Sequence, residues 1–202
     1  RAVAALWLWW AVALALSLYG FFAEPDRLGW ADLPGFAALA AAMMLPVLAI
    51  AVVARRGGAF ASLVARIPVA WLVAVQVFRL GGLAFLAVWG AGRVPGWLGL
   101  TTGVMDVAVG LAALPLGLAL ARGAGWAPRA AVGWSVLGLA DFANAIGFVF
   151  LAFAGLIAVS PAPAMIGLHP LALIALFQVP LAVALHLAVL ARLAPRAAAA
   201  GV

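Results

Sequence analysis

The sequence has no cysteine and no lysine, a single tyrosine, and few charges of either sign: Asp, Glu, Lys and Arg make up 8% of 202 residues. Each absence closes a class. Without Cys there are no disulfides, thiolate metal sites or Cys nucleophiles. Without Lys no Schiff base to retinal or pyridoxal can form. Polar residues are also too scarce to coat a soluble globule. The chain is 70% hydrophobic with a mean hydropathy of +1.30, whereas soluble domains are about 45–50% apolar and about 25% charged. Disorder needs low hydrophobicity and high charge, the opposite balance. The expected solvent for most of this chain is lipid.

What is present is a series of long apolar runs. A bilayer core of about 30 Å needs about 20 apolar residues per helix. Cuts at charges, Pro and Gly give six such runs, roughly 3–22, 35–54, 67–90, 98–121, 130–158 and 170–191. The cuts carry turn chemistry, as in Glu24-Pro25-Asp26, Arg55-Arg56-Gly57-Gly58 and Arg122-Gly123-Ala124-Gly125. The first run has no convincing cleavage site before Glu24 and reads as a retained span. A single chain in lipid offers only helices or a closed barrel, and runs such as 111–121 lack the alternation a barrel needs. The expected fold is therefore all-α, one transmembrane helical-bundle domain over residues 1–202.

Orientation follows from the arginines. Arg1, Arg55, Arg56, Arg66, Arg122, Arg129, Arg192 and Arg196 fall on one side with no acid. Arg27 and Arg93 fall on the other, with Glu24, Asp26 and Asp32. The positive-inside rule makes the first side cytoplasmic, so both termini are expected there. The net charge of +6 is explained by this topology, because the cations are scattered between apolar runs rather than gathered into a nucleic-acid face. Trp7, Trp9, Trp10, Trp71, Trp126 and Trp134 near the inner ends, with Trp30, Trp89 and Trp97 near the outer ends, read as aromatic belts.

Ionisable groups inside a membrane cost at least about 2.5–3.5 kcal/mol each on insertion scales, so each needs a reason. The third run holds Gln76 and Arg79 one turn apart. Arg79 is 13 residues from Arg66 and 14 from Arg93, too deep to snorkel, and so requires an acidic or carbonyl partner. The fourth run holds Asp106 beneath Thr101 and Thr102, with Gly103, Gly110 and Gly117 recurring every seven residues as a close-approach seam. The fifth holds Asp141 and Asn144. The sixth holds Gln178 and His186. The expectation is a buried polar cluster of Arg79, Asp106, Asp141, Asn144, Gln76, Gln178 and His186 joining runs three to six. Pro46, Pro115 and Pro180 sit inside runs and free the carbonyls of Ala42, Leu111 and Leu176.

Recognisable catalytic equipment is missing. Ser17, Ser62, Ser135 and Ser160 have no His neighbour in sequence, and no GxSxG, P-loop or HExxH occurs, so an enzyme is the less favoured class. His169 and His186 lie 17 residues apart on one run, about 25 Å at 1.5 Å per residue, so they cannot both ligate one haem. No cofactor is expected. A bound lipid, quinone or pigment is the alternative, with His186 as the axial ligand if the pigment is haem or chlorophyll.

The segments Val75-Gln76-Val77-Phe78-Arg79, Gly103 to Gly110 around Asp106, and Gly138-Leu139-Ala140-Asp141, followed by His186, resemble a group of small bacterial polytopic membrane proteins of unassigned function. The resemblance spans residues 70 to 193 and implies a multi-pass protein of a bacterial cytoplasmic membrane; it supplies no activity or ligand. Two functions compete. One is a small-solute or proton-coupled carrier or channel working at the polar cluster. The other is an accessory or structural subunit of a larger membrane complex. Expected contacts are membrane lipid and a homodimer or larger assembly, with no nucleic acid.

Overall fold

Alanine- and leucine-rich runs cut by glycine form the helices of the chain. The computed structural model describes residues 2–20, 22, 33–56, 62 and 65–199. Six helices are labelled here among the described residues. α1 is Ala2–Tyr19 and α2 is Leu33–Arg56. α3 is Val69–Gly90 and α4 is Trp97–Ala121. α5 is Ala127–Phe153. α6 runs from 171 to 199, and a short 3-10 turn, Pro163–Gly167, precedes it. Helices α3, α4, α5 and the 171–193 stretch of α6 are long and apolar enough to cross a membrane, whereas Val3–Tyr19 and Ala37–Ile50 are shorter apolar stretches. The expected cuts at Glu24–Asp26 and Gly57–Gly58 lie outside the described residues, as do Arg1 and Arg27.

Helix ends follow from backbone chemistry. Gly20, Gly92, Gly123 and Gly155 take φ between 68 and 71°, the left-handed conformation that closes a helix and that glycine adopts without a Cβ penalty. Two expected boundaries are corrected by this. The first run stops at Tyr19 rather than 22, and the fifth at Phe153 rather than 158, because Gly20 and Gly155 turn the chain there.

Three helices are irregular in their middle or opening turns. α3 tightens to a 3-10 helix over Val75–Gly82. α4 opens with a π turn, Trp97–Thr102, and α6 contains another, Ile174–Gln178. Such segments are short and strained relative to an α-helix and often mark functional positions.

The glycine seam of α4 sets the α3–α4 packing. A Cβ on Gly110 would stand 2.9 Å from the backbone nitrogen of Leu80, and one on Gly117 2.9 Å from the carbonyl of Ala70. Any larger side chain would force the helices apart, so the seven-residue recurrence is a contact surface between backbones. Around it lie two apolar cores. One gathers Phe85, Leu98, Phe148, Phe153, Leu171 and Ile174. The other gathers Leu72, Val109, Leu116, Trp134, Val189 and Leu193. The outward surfaces are apolar too, with Trp71, Leu111, Leu118, Val136 and Leu187 exposed.

α1 is attached by polar contacts as well as packing. The Trp9 indole Nε1 donates to the carbonyl of Leu176 at 3.2 Å. That carbonyl is the one left free by Pro180, which has no N–H to offer it. Ser17, buried in α1, meets His169 Nδ1 at 3.1 Å, bringing together residues 152 apart in the chain. Trp9 is thus a hydrogen-bond donor into the bundle and not merely a belt residue.

Candidate functional site

Arg79 stands between the two apolar cores and is 2% exposed. The Gly81-Gly82 step behind it lets α4 come close, since Gly82 packs directly on the Cβ of Asp106. Its guanidinium is bonded on three sides. Nε donates to Asp106 Oδ1 at 2.7 Å, and Nη2 lies 2.7 Å from the same oxygen. Nη2 also donates to Asp141 Oδ2 at 2.6 Å. Nη1 donates to His186 Nε2 at 3.0 Å. The ring of Phe142 covers the guanidinium face, with Cζ 4.1 Å from the ring centroid, a cation–π contact that strengthens where water is excluded. Four helices, α3 to α6, therefore meet at one side chain.

The hydrogen-bond directions fix the state of His186. Arginine only donates, so Nε2 accepts and the ring proton sits on Nδ1; the imidazole is neutral. Nδ1 faces the Gln76 side-chain amide at 3.5 Å, and Gln76 Oε1 is buried without a partner. Turning that amide over sets Oε1 against Nδ1–H and satisfies both groups. The ring itself is fully buried, with the Trp134 ring at 4.7 Å. Gly138 sits against its other side, where a Cβ would meet Cε1 at 2.6 Å and Arg79 Nη1 at 2.7 Å. Both ring nitrogens of His186 face protein groups, Nε2 the Arg79 guanidinium and Nδ1 the Gln76 amide.

Two expectations change. Asn144 is exposed on the outer surface of α5. It follows Asp141 by three residues, but the buried face of α5 runs through Trp134, Gly138, Asp141, Phe142 and Val149, and Asn144 is rotated off it. Gln178 is half-buried and packs over Gly81, where a Cβ would stand 2.7 Å from its Oε1; no bond joins it to the Arg79 cluster among the described residues. The sequence reading also missed three members. Phe142 and Gly138 carry no charge to draw notice. Trp134 was assigned to the inner belt by depth, yet it is buried and donates from Nε1 to the carbonyl of Val109 at 3.1 Å.

The cluster is not fully closed. Asp141 Oδ1, Thr102 Oγ1 and Ser135 Oγ are buried with no hydrogen-bond partner among the described residues. Beside it is a cavity of about 80 Å³ bounded by α2, α3, α4, α5 and α6, with Asp106 and Thr102 in its wall. The remaining lining is apolar, including Met43, Phe85, Ala145, Val149 and Ala175. Asp141, Asn144 and Gln178 are not in its wall, and Asn144 faces outward.

Fold and site together define an all-helical protein with membrane-length apolar helices gathered on a buried Arg–Asp–Asp–His cluster. The chain belongs to the family described as domain of unknown function DUF8737, whose match covers residues 30–194 and so contains every member of the cluster. No curated protein and no solved structure matches it.

Proposed function

We propose that the chain is an integral membrane protein of a bacterial cytoplasmic membrane, crossing it six times with both termini inside, and that the Arg79 cluster is a proton-binding site in a small proton-coupled carrier or channel. The observation that carries this is the charge count at one point. Asp106 and Asp141 face a single guanidinium, and the histidine beside them is neutral. One negative charge is left over in a buried site, and a proton is the smallest cation that neutralises it. Asp141 is its seat, because Oδ2 is bonded to Arg79 while Oδ1 has no partner. A purely structural lock gains nothing from an open carboxylate oxygen.

The test is the carboxyl C=O stretch in infrared difference spectra of the protein in lipid, recorded across a pH jump. A protonated-carboxyl band that disappears in Asp141→Asn supports the reading, and loss of proton-driven uptake in proteoliposomes should accompany it. A wild-type spectrum without such a band overturns it.

A second reading, association with another membrane helix, is favoured by Asn144. Its carboxamide lies on the apolar outer face of α5, one turn from Ala140 and Gly147. An amide is both donor and acceptor, so it can pair with its own copy across a two-fold axis. Asn144→Cys in this Cys-free chain should then give a disulfide dimer in membranes under mild oxidant. A cross-link at outward Leu187→Cys but not at residue 144 would rule out this face.

A further inference from the structure

We propose that the outer face of the α3–α4 contact, at its arginine-rich end, binds an anionic phospholipid, with the phosphate at Arg66 and Arg122 and an acyl chain along Trp71, Leu118 and Leu114. This rests on the membrane reading above and is independent of the proton at Asp141.

The first argument is register. Gly110 lies against Leu80 and Gly117 against Ala70, so residue numbers rise on one helix as they fall on the other, and the pair is antiparallel. Arg66 comes four residues before Ala70, and Arg122 comes five residues after Gly117. Both therefore stand past the same end of the same contact, and both are exposed. A third cation joins them from α6, where Arg192 donates from Nη1 to the carbonyl of Ile67, the residue next to Arg66. The positive-inside rule asks only that arginines lie on one side of the membrane. It does not ask that they close one seam.

The second argument is the surface beneath the cations. Trp71 follows Ala70 and is 69% exposed, and Leu118 follows Gly117 and is 53% exposed. They flank the glycine contact on its outer side. Leu111, Leu114, Leu118 and Arg122 are spaced by three, four and four residues, one stripe of α4 that ends in a cation. Because Gly117 keeps the two backbones close, this stripe and Trp71 form one apolar strip. Charge at the end of an apolar strip is the pattern of a phospholipid. A guanidinium matches phosphate with paired donors, and an indole settles at headgroup depth.

The third argument chooses the head. The only acids after residue 32 are Asp106 and Asp141, and both are buried. An amine or choline head would bring its cation to the arginines with no exposed carboxylate to receive it. A head whose one charge is its phosphate gives that charge to the arginines. Free phosphate has nothing to lay on Trp71 and the leucines. The occupant is therefore a lipid with an uncharged alcohol beyond its phosphate, and phosphatidylglycerol is the probe.

The experiment uses the full chain in vesicles of equal phosphatidylglycerol and phosphatidylcholine, followed by detergent extraction and native mass spectrometry of the retained lipid. Phosphatidylglycerol should be retained several-fold over phosphatidylcholine. An arginine beside an anionic membrane surface is worth about five-fold, so Arg66→Gln with Arg122→Gln should lower that enrichment at least about five-fold. Arg129→Gln removes the same charge from the first turn of α5 and should leave the enrichment unchanged, as should an excess of inorganic phosphate. Phosphatidylglycerol with brominated chains should also quench the part of the fluorescence that is missing in Trp71→Phe, and brominated phosphatidylcholine should quench it less. Equal retention of the two lipids by the wild type would overturn the site. An equal loss in Arg129→Gln would reduce the effect to general surface charge, and loss of enrichment to inorganic phosphate would make it a free-anion site; either overturns the proposal. If the double Gln variant does not fold, equal quenching of Trp71 by the two brominated lipids overturns it. A chain that fails to float with the vesicles overturns the membrane reading itself, so the two failures are distinguishable.

Discussion

Gly138 lies flat against His186, and the imidazole occupies the space that any other residue's Cβ would need. That contact holds the ring at the distance where Nε2 accepts from Arg79, so a residue without a side chain sets the geometry of an ionic cluster.

Gly138→Ala should therefore displace His186 and break the Arg79–His186 bond. Overpacking of this kind typically costs about 1–3 kcal/mol. Gly133 is the control on the same helix, since a Cβ there meets nothing within 4 Å; Gly133→Ala should be neutral or mildly stabilising through helix propensity. Thermal unfolding in detergent measures both. Equal melting temperatures for the two variants would contradict the assignment.

Arg79→Ala removes the shared partner of two buried aspartates at once. Removing one partner of a buried pair costs about 3–5 kcal/mol in soluble proteins, and a loss at the upper end is expected here. Adding Asp106→Asn and Asp141→Asn to the same chain should recover much of the stability, because the uncompensated charges go with them. A triple variant as unstable as the single one would show that shape, not charge, dominates the cluster.

Trp9→Phe keeps the apolar bulk of the indole and removes only its donor. The Leu176 carbonyl, already without its Pro180 partner, is then left unpaired. Interhelical hydrogen bonds in membranes average about 0.6 kcal/mol with a maximum of about 1.7, and a loss near 1 kcal/mol is expected at this dry position. Limited proteolysis should release α1 earlier than in the wild type.

Reporter fusions after residues 56, 93, 125, 165 and 196 should alternate between cytoplasmic and exported, beginning and ending cytoplasmic. An exported reporter after residue 196 would sink the six-span topology.

Much of the cluster was legible because charge is expensive in lipid. Arg79 sits 13 and 14 residues from its flanking arginines, and that depth alone demands the acids that Asp106 and Asp141 provide. Depth is read along a helix; facing is not. Asn144 and Trp134 have depths that fit the expectations made of them, yet each turns the other way, Asn144 outward and Trp134 inward. A run apolar on every side has no stripe by which to tell these directions. The 3-10 and π turns were equally hidden, since they change backbone hydrogen bonding without changing composition. Gly155 was visible, but only its positive φ distinguishes a terminating glycine from the packing glycines of α4.

The Trp9–Leu176 bond also has a temporal side. A ribosome delivers the donor 167 residues before the acceptor. α1 therefore stands with its indole N–H lacking this acceptor while α2 to α5 are made. The bundle can latch only when α6 emerges with its proline-freed carbonyl. A chain cut before Leu176 would leave α1 without that latch, so this contact forms only once α6 has been made.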